Sequence, residues 1–334
     1  RRRVGGVSLG VEAHDGDRVA DRDVRQPALG VVVVLIMTVY GLAVRQPTAY
    51  DPDVSVHIVQ PNIPQKMKWA EGHVFDNSLA PIAASDTPPQ DDAKEHWIIW
   101  PETAQASPIW RQPRFRVFYR AALGDWPKNT IVYTGYLGLD EGDYGNAVVA
   151  ADTKGNILWR QNKHHLVPFG EYMPLDDILH LGPIVGMDGF PFGEEPRSMP
   201  DGVIPLICYE IIFSDLARRA VASDSRAIVT VTDDSWFGTT SGPHQHMTQV
   251  RFRAIETGLP VLRSANTGIS AIVDPYGRTV SSTALNTSGT IDGLLPAKRP
   301  GSTFHNQHGH LFSCLYFGIG IFILLMGKRF KRDD

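Results

Sequence analysis

Apolar positions fall into three regimes along the chain. Two uncharged runs of 17 residues stand near the ends, Ala28–Val44 and Leu311–Gly327. They are apolar all round rather than on one face, and at 1.5 Å per residue each would reach about 26 Å, at the lower limit for a bilayer core of ~30 Å. Both predict transmembrane helices. Between them the pattern changes to short strands. Val54, Val56 and Ile58 alternate, while Trp97-Ile98-Ile99-Trp100 is a continuous run of the kind covered on both faces. Further strands are predicted at 131–136, 147–151, 157–159, 203–209, 227–232 and 269–273. Turn residues at 152–156 and Asp274-Pro275-Tyr276-Gly277 mark two hairpins.

Helical periodicity falls between the strands. Ser214 is positioned to cap a helix carrying Leu216, Ala217, Ala220 and Val221. Pro243 opens another with Met247, Val250, Ala254 and Ile255 on one face, stopped by Gly258. Strands alternating with helices, plus added hairpins, predict an α/β layered sandwich. The organisation expected is a polar tail at 1–27, a membrane helix at 28–44, one catalytic domain at 45–310, a second membrane helix at 311–327 and a basic tail at 328–334. Arg1, Arg2, Arg3, Arg18, Arg22 and Arg25 precede the first span, and Lys328, Arg329, Lys331 and Arg332 follow the second. By the positive-inside bias both ends face the cytoplasm, which puts the domain on the far side. The exit at 45–48 lacks a small-residue cleavage site, so a removable signal peptide fits poorly.

Composition narrows the class. With 32 basic and 36 acidic residues among 334, the net charge of -4 argues against a nucleic-acid partner. The 31 glycines and 24 prolines are too many for a helical bundle, and 43% hydrophobic residues are too many for disorder. Cys208 and Cys314 are too few for a disulfide scaffold and are read as single thiols. His244-x-His246 and His308-x-His310 offer two ligands each with no thiol or carboxylate at metal spacing, so neither a metal nor a cofactor is expected. The Gly-rich stretch 135–145 lacks a phosphate-loop signature.

Candidate chemistry sits at three strand ends. Glu102 follows Trp100-Pro101, Lys163 follows the strand at 157–159, and Cys208 ends the apolar run Val203–Ile207. A thiol of pKa ~8.5 is only a few per cent thiolate at neutral pH. A nearby ammonium lowers that pKa and stabilises the oxyanion formed when sulfur attacks a carbonyl. A carboxylate in a dry pocket takes the thiol proton and returns it to the leaving group. The combination predicts acyl transfer through a thioester. His164 and His165 stand beside the lysine and leave a histidine role open.

In these contexts Glu102, Lys163 and Cys208 resemble the Glu-Lys-Cys triad of the nitrilase, or carbon–nitrogen hydrolase, superfamily. Longer strings are similar to the apolipoprotein N-acyltransferase family of the bacterial inner membrane. They are 60–65 with Trp69, 100–102, 165–172, 207–210, 234–238 and 242–245. The resemblance implies a nitrilase-like αββα four-layer sandwich flanked by two transmembrane helices, held on the periplasmic side of the membrane. It implies a phospholipid acyl donor, a thioester on Cys208, and a diacylglyceryl apolipoprotein whose N-terminal cysteine amine accepts the chain. By the same resemblance Glu171 supports the acid–lysine pair, Tyr209 and Glu210 shape the nucleophile turn, and Trp69 and Trp236 line a lipid-facing mouth. Asp233 stands where the resemblance leads to Asn. Only the last of the membrane helices that precede the domain in this family is visible, and residues 1–27 read as a remnant of something longer. Two other readings stay open: a membrane-anchored nitrilase-type amidase that uses water on a small amide or nitrile, or an inactive truncated fragment.

Overall fold

The computed structural model describes residues 25–140, 143–172 and 189–330. The expected tail at 1–27 lies outside these up to residue 24, as do the last four residues of the basic tail. The chain divides into two compact units, 1–47 and 48–334. The first contributes one described helix, Arg25–Val44.

The second unit is built on two sheets. The larger runs in the order β12-β1-β2-β4-β5-β6, with β3 (Gln105–Ala106) beside β4. Its members are β1 (Tyr50–Gln60), β2 (Glu95–Ile99), β4 (Thr130–Asp140), β5 (Asp143–Asp152), β6 (Ile157–Asn162) and β12 (Gly289–Pro296). The smaller runs β11-β10-β9-β8-β7. It holds β7 (Val203–Ile207), β8 (Ala227–Thr232), β9 (Val261–Ala265), β10 (Ala271–Val273) and β11 (Thr279–Ser282). The strands β1, β2 and β4 are parallel to one another, and so are β7, β8 and β9.

Three apolar clusters define four layers. Val56, Trp97, Tyr133 and Val148 of one sheet meet Val203, Val229, Val231 and Leu262 of the other, forming the core between the sheets. Behind the larger sheet, Trp100, Val132 and Val149 pack on Trp110, Phe115, Tyr119 and Leu123. Behind the smaller, Ile204, Ile228 and Val261 pack on Leu216, Ala217, Val250 and Ala254. Strands covered on both faces carry the continuous apolar runs seen at 97–100 and 203–207, because neither face meets water. The αββα expectation therefore holds.

The helix Gly242–Thr257 ends as expected on Gly258, whose φ of +71° is the left-handed cap that glycine adopts without a Cβ penalty. Two details differ from the sequence reading. Ile255 is exposed rather than on the packed face. Ser214 opens the helix Ser214–Ala220 without capping it, because its hydroxyl instead donates to Glu256 Oε2 at 2.7 Å.

The two membrane crossings expected at 28–44 and 311–327 are not shown. Both runs are helical, but among the described residues no helix is long and apolar enough to cross a membrane. The first helix begins on Arg25-Gln26-Pro27. The second, Phe304–Phe330, opens through His305-Asn306-Gln307-His308 and leaves helical geometry at His308. Its first turn is tied to the domain, where Asn306 Nδ2 donates to the Thr257 carbonyl at 2.9 Å.

Candidate active site

Parallel strands deliver side chains at their carboxyl ends, and the site forms where β2, β7 and β8 stop. Beyond β2 the chain turns through Pro101 and Glu102, and Gly135 on β4 donates its N–H to the Pro101 carbonyl at 3.1 Å. A Cβ at Gly135 would stand 2.4 Å from both Glu102 Cα and the Thr103 nitrogen. Only glycine allows this approach, and the turn it permits aims Glu102 inward. Gly135→Ala is expected to cost ~1–3 kcal/mol, since the collision is with backbone that has no rotamer to yield. It should also slow iodoacetamide alkylation of Cys208, by up to about 100-fold, through misplacement of Glu102. Chemical denaturation and the alkylation rate check the two effects.

Lys163 follows β6 directly, and its N–H donates to the Asn146 carbonyl at the start of β5. Its ammonium donates to Glu171 Oε1 at 2.8 Å and lies 3.7 Å from Glu102 Oε1. Asn146 Nδ2 joins the two acids, donating to Glu102 Oε1 at 2.8 Å and to Glu171 Oε1 at 3.1 Å. The other Glu102 oxygen accepts from the Asp233 N–H at 2.8 Å, and Glu171 Oε2 accepts from the Val167 N–H at 2.8 Å. Burial opposes the Lys163 charge, but Glu102, Cys208 and Glu171 outweigh it and hold its pKa above the ordinary lysine range.

Cys208 begins a 3₁₀ turn, Cys208–Ile212, at the end of β7. Its φ of +51° is left-handed, a strained conformation for a residue with a Cβ, and it packs on the core between the sheets. Thr232 donates to its sulfur at 3.3 Å. Burial and then the Glu102 charge push the Cys208 thiol well up, while Lys163 and the Thr232 hydroxyl pull against them. The resting thiol is therefore held in its protonated form. Glu102 and Lys163 are both near enough to act on it electrostatically.

The turn is pinned by Glu210, which is almost wholly buried. Its Oε2 accepts from the Ile207 N–H at 2.8 Å, and its Oε1 accepts from the His164 and His165 N–H groups at 2.7 and 2.9 Å. Glu210 thus couples the nucleophile turn to the lysine loop. Burial raises its pKa although those three N–H groups and Lys163 pull it down. Tyr209 lies against His165 and Phe213.

A narrow cleft opens beside Glu102, lined among others by Ile63, Lys68, Trp69, Val74 and Asn266. Neither Cys208 nor Lys163 lines it, so this space approaches the site from the acid's side. Trp69 lines this cleft together with Glu102. Trp236 does not line the cleft and is 77% exposed on the 3₁₀ turn Asp234–Phe237.

Several site residues escaped the sequence reading. Asn146 stands one position before a predicted strand, and a strand-end position was the available signal. Lys68, next to the singled-out Trp69, is 5% exposed and donates to the Glu102 carbonyl at 3.1 Å and to Asp233 Oδ2 at 2.5 Å. That pairing gives the carboxylate at Asp233 a partner. Burial opposes the Asp233 charge, yet Lys68 and Ser235 hold its carboxyl below the usual range. Asp234 lay in the 234–238 string and His246 in a His-x-His pair without being given a role here, while Thr232 and Arg263 carried no signal that separates them from ordinary core residues.

Residues 126–303 match the carbon–nitrogen hydrolase family, a span that includes Lys163 and Cys208 and begins after Glu102. An apolipoprotein N-acyltransferase from Bradyrhizobium diazoefficiens is 34% identical over 343 residues, covering 95% of this chain and 62% of that protein. Another from Brucella melitensis is 36% identical over 293 residues, covering 81% of this chain and 54% of that one. The chain thus spans little more than half the length of these curated relatives. A solved CN-hydrolase superfamily protein from Xanthomonas campestris, with an arsenic adduct in its active site, is 17% identical with a TM-score of 0.52, covering 73% of this chain and 91% of that one. An amidase from Nesterenkonia sp. is 19% identical with a TM-score of 0.50, covering 80% and 99%. At such identities these two bear on the fold alone. The family match covers more than half of the sequence and the four layers agree with it, so the chain belongs to the carbon–nitrogen hydrolase family, where its sequence relatives are apolipoprotein N-acyltransferases.

Proposed function

We propose that this chain carries the N-acyltransferase chemistry of its relatives, moving a fatty acyl group from a phospholipid through a Cys208 thioester to the N-terminal cysteine amine of a diacylglyceryl apolipoprotein. The observation that carries this reading is the convergence of Glu102, Lys163 and Glu171 on one hydrogen-bonded cluster, electrostatically coupled to Cys208 at a strained turn. In the first half-reaction Glu102 takes the thiol proton as sulfur bonds to the ester carbonyl carbon. Lys163 faces the oxyanion that forms. The carbon–oxygen bond then breaks, and Glu102 returns the proton to the departing lysophospholipid oxygen. In the second half-reaction the acceptor amine bonds to the thioester carbon, the carbon–sulfur bond breaks, and the amine proton passes back to the sulfur through Glu102. Glu171 and Asn146 hold Glu102 and Lys163 in register, Tyr209 and Glu210 shape the nucleophile turn, and Trp69 and Trp236 offer apolar surface to an acyl chain. This use of Glu102, Lys163 and Cys208 calls for no metal or other cofactor.

We further propose that the domain works against the periplasmic face of the bacterial inner membrane. The exposed Val31, Leu35, Val39 and Leu42 of the helix Arg25–Val44, and the exposed Leu311, Leu315 and Phe317 of the last helix, support contact with lipid.

The test uses the detergent-solubilised chain with phosphatidylethanolamine labelled in its acyl chain. Label should join the protein, be released by hydroxylamine as a thioester is, and pass to a peptide with an N-terminal S-diacylglyceryl cysteine. Discharge to water with no preference for that amine, or turnover of a soluble amide such as propionamide in place of phospholipid, would replace this reading with the amidase. Absence of any label on folded protein would overturn it.

A further inference from the structure

Behind the nucleophile lies a buried charged cluster that the acyl-transfer steps do not use. Asp234 and Arg263 are fully buried, and Arg263 Nη2 donates to Asp234 Oδ2 at 2.6 Å. Arg263 Nε donates to the Ile269 carbonyl at 3.0 Å. Asp234 Oδ1 lies 2.9 Å from His246 Nδ1, and His246 Nε2 lies 3.1 Å from the carbonyl oxygen of Cys208. Gly268 makes room for the carboxylate, because a Cβ there would stand 2.3 Å from Asp234 Oδ2.

The hydrogen positions follow from the partners. A carbonyl oxygen only accepts, so His246 Nε2 carries a proton and donates it to Cys208. At Nδ1 the ring lies 2.9 Å from Asp234 Oδ1, which only accepts, and 3.3 Å from Arg263 Nη2, which only donates. Among the described residues the charged side chains within hydrogen-bond distance of the ring are Asp234 and Arg263, and Cys208 meets it through its backbone carbonyl. The contact falls on the carbonyl of Cys208, the residue in the left-handed conformation. Glu210 holds that turn on its N-terminal side through the Ile207 N–H, and His246 holds it at the Cys208 carbonyl.

We propose that His246 is a positioning residue for the nucleophile. It clamps the Cys208 carbonyl through Nε2 and is itself oriented by Asp234, so that the strained turn presents the sulfur to the acyl carbon. Thr232 ties the clamp to the thiol. Its one hydroxyl proton lies within reach of Cys208 Sγ at 3.3 Å and of Asp234 Oδ1 at 3.2 Å, so the cluster bears on the sulfur as well as on its backbone. This rests on Cys208 being the reacting thiol, as proposed above.

Two variants separate the clamp from simple core support. In His246→Asn the amide nitrogen takes the place of Nδ1, which keeps the Asp234 contact and loses the Cys208 carbonyl. In His246→Gln the amide nitrogen reaches the place of Nε2 and keeps that carbonyl. Both are made in a Cys314→Ser background, which leaves Cys208 as the single thiol. Alkylation by iodoacetamide is followed across pH, alongside the melting temperature and the NMR signal of a carbonyl-¹³C cysteine label. His246→Asn should alkylate about tenfold more slowly, the size of effect one lost hydrogen bond gives, and should move the Cys208 carbonyl resonance. His246→Gln should keep a rate within about threefold and an unmoved resonance. Equal rates and equal resonances in the two variants would overturn the clamp, as would loss that tracks melting temperature alone. A Cys208 that resists alkylation in the unsubstituted protein would count against the proposed acyl transfer, while the carbonyl resonance would still decide the clamp.

Discussion

Cys208→Ser should remove acyl transfer almost completely while leaving the protein folded. Serine differs at this site by one atom and keeps the Thr232 contact, so the packing against the core between the sheets changes little. The chemistry changes greatly. The alcohol has a far higher pKa than a thiol, and the surroundings that raise the Cys208 thiol, burial first and the Glu102 charge next, act in the same direction on an alkoxide. Glu102 is then asked to deprotonate a group it cannot match, and the expected fall in single-turnover acylation is roughly 10⁴-fold or more, as for loss of a nucleophile in other covalent enzymes. Melting temperature and circular dichroism should stay at the unsubstituted values. Retention of more than about 1% of the label on the serine variant would mean that another group carries the acyl chain.

Lys163→Met should damage both stability and activity. The methionine matches the apolar stem but leaves Glu102 and Glu171 without the ammonium between them, in a site where Lys163 itself is 2% exposed. Removing one partner of a buried ion pair typically costs about 3–5 kcal/mol, because the partner left behind stays desolvated. The pH dependence gives this a sign. In the unsubstituted protein the pKa of Lys163 is raised, so its contribution is fully present below the unfolded-state value of ~10.4 and is lost only above it. Urea denaturation in detergent at about pH 5 and about pH 8, both below that value, should therefore show the full deficit at each. Acylation should fall at least ~100-fold at both, since the oxyanion loses its cation. A deficit under about 0.5 kcal/mol at both would show that the two acids do not depend on Lys163.

Much of the αββα architecture was legible in the chain, because a strand buried on both faces has to be apolar throughout, and Trp97–Trp100 and Val203–Ile207 are. The strand β9 was not legible. It reads Val-Leu-Arg-Ser-Ala, and its central Arg263 is polar in sequence yet fully buried in the fold. Asp234, 29 positions away, makes that burial tolerable, and no local pattern reports such a partner. Lys68 is the same case across 165 positions, since a lysine two turns after a strand reads as solvated until Asp233 and the Glu102 carbonyl are seen to hold it. Hydropathy marked the two terminal apolar runs as membrane crossings; both runs are helical, and among the described residues a crossing is not shown.

By itself, then, the amino-acid order determined the layered class, the strand ends and the three reactive residue types, because burial and side-chain chemistry leave local marks. The tertiary structure alone decided how those types meet. It set which carboxylate shares Lys163, which glycine lets the Glu102 turn approach β4, and which histidine reaches the Cys208 carbonyl. Those are distances between segments far apart in the chain, and a distance of that kind exists only once the two sheets have packed.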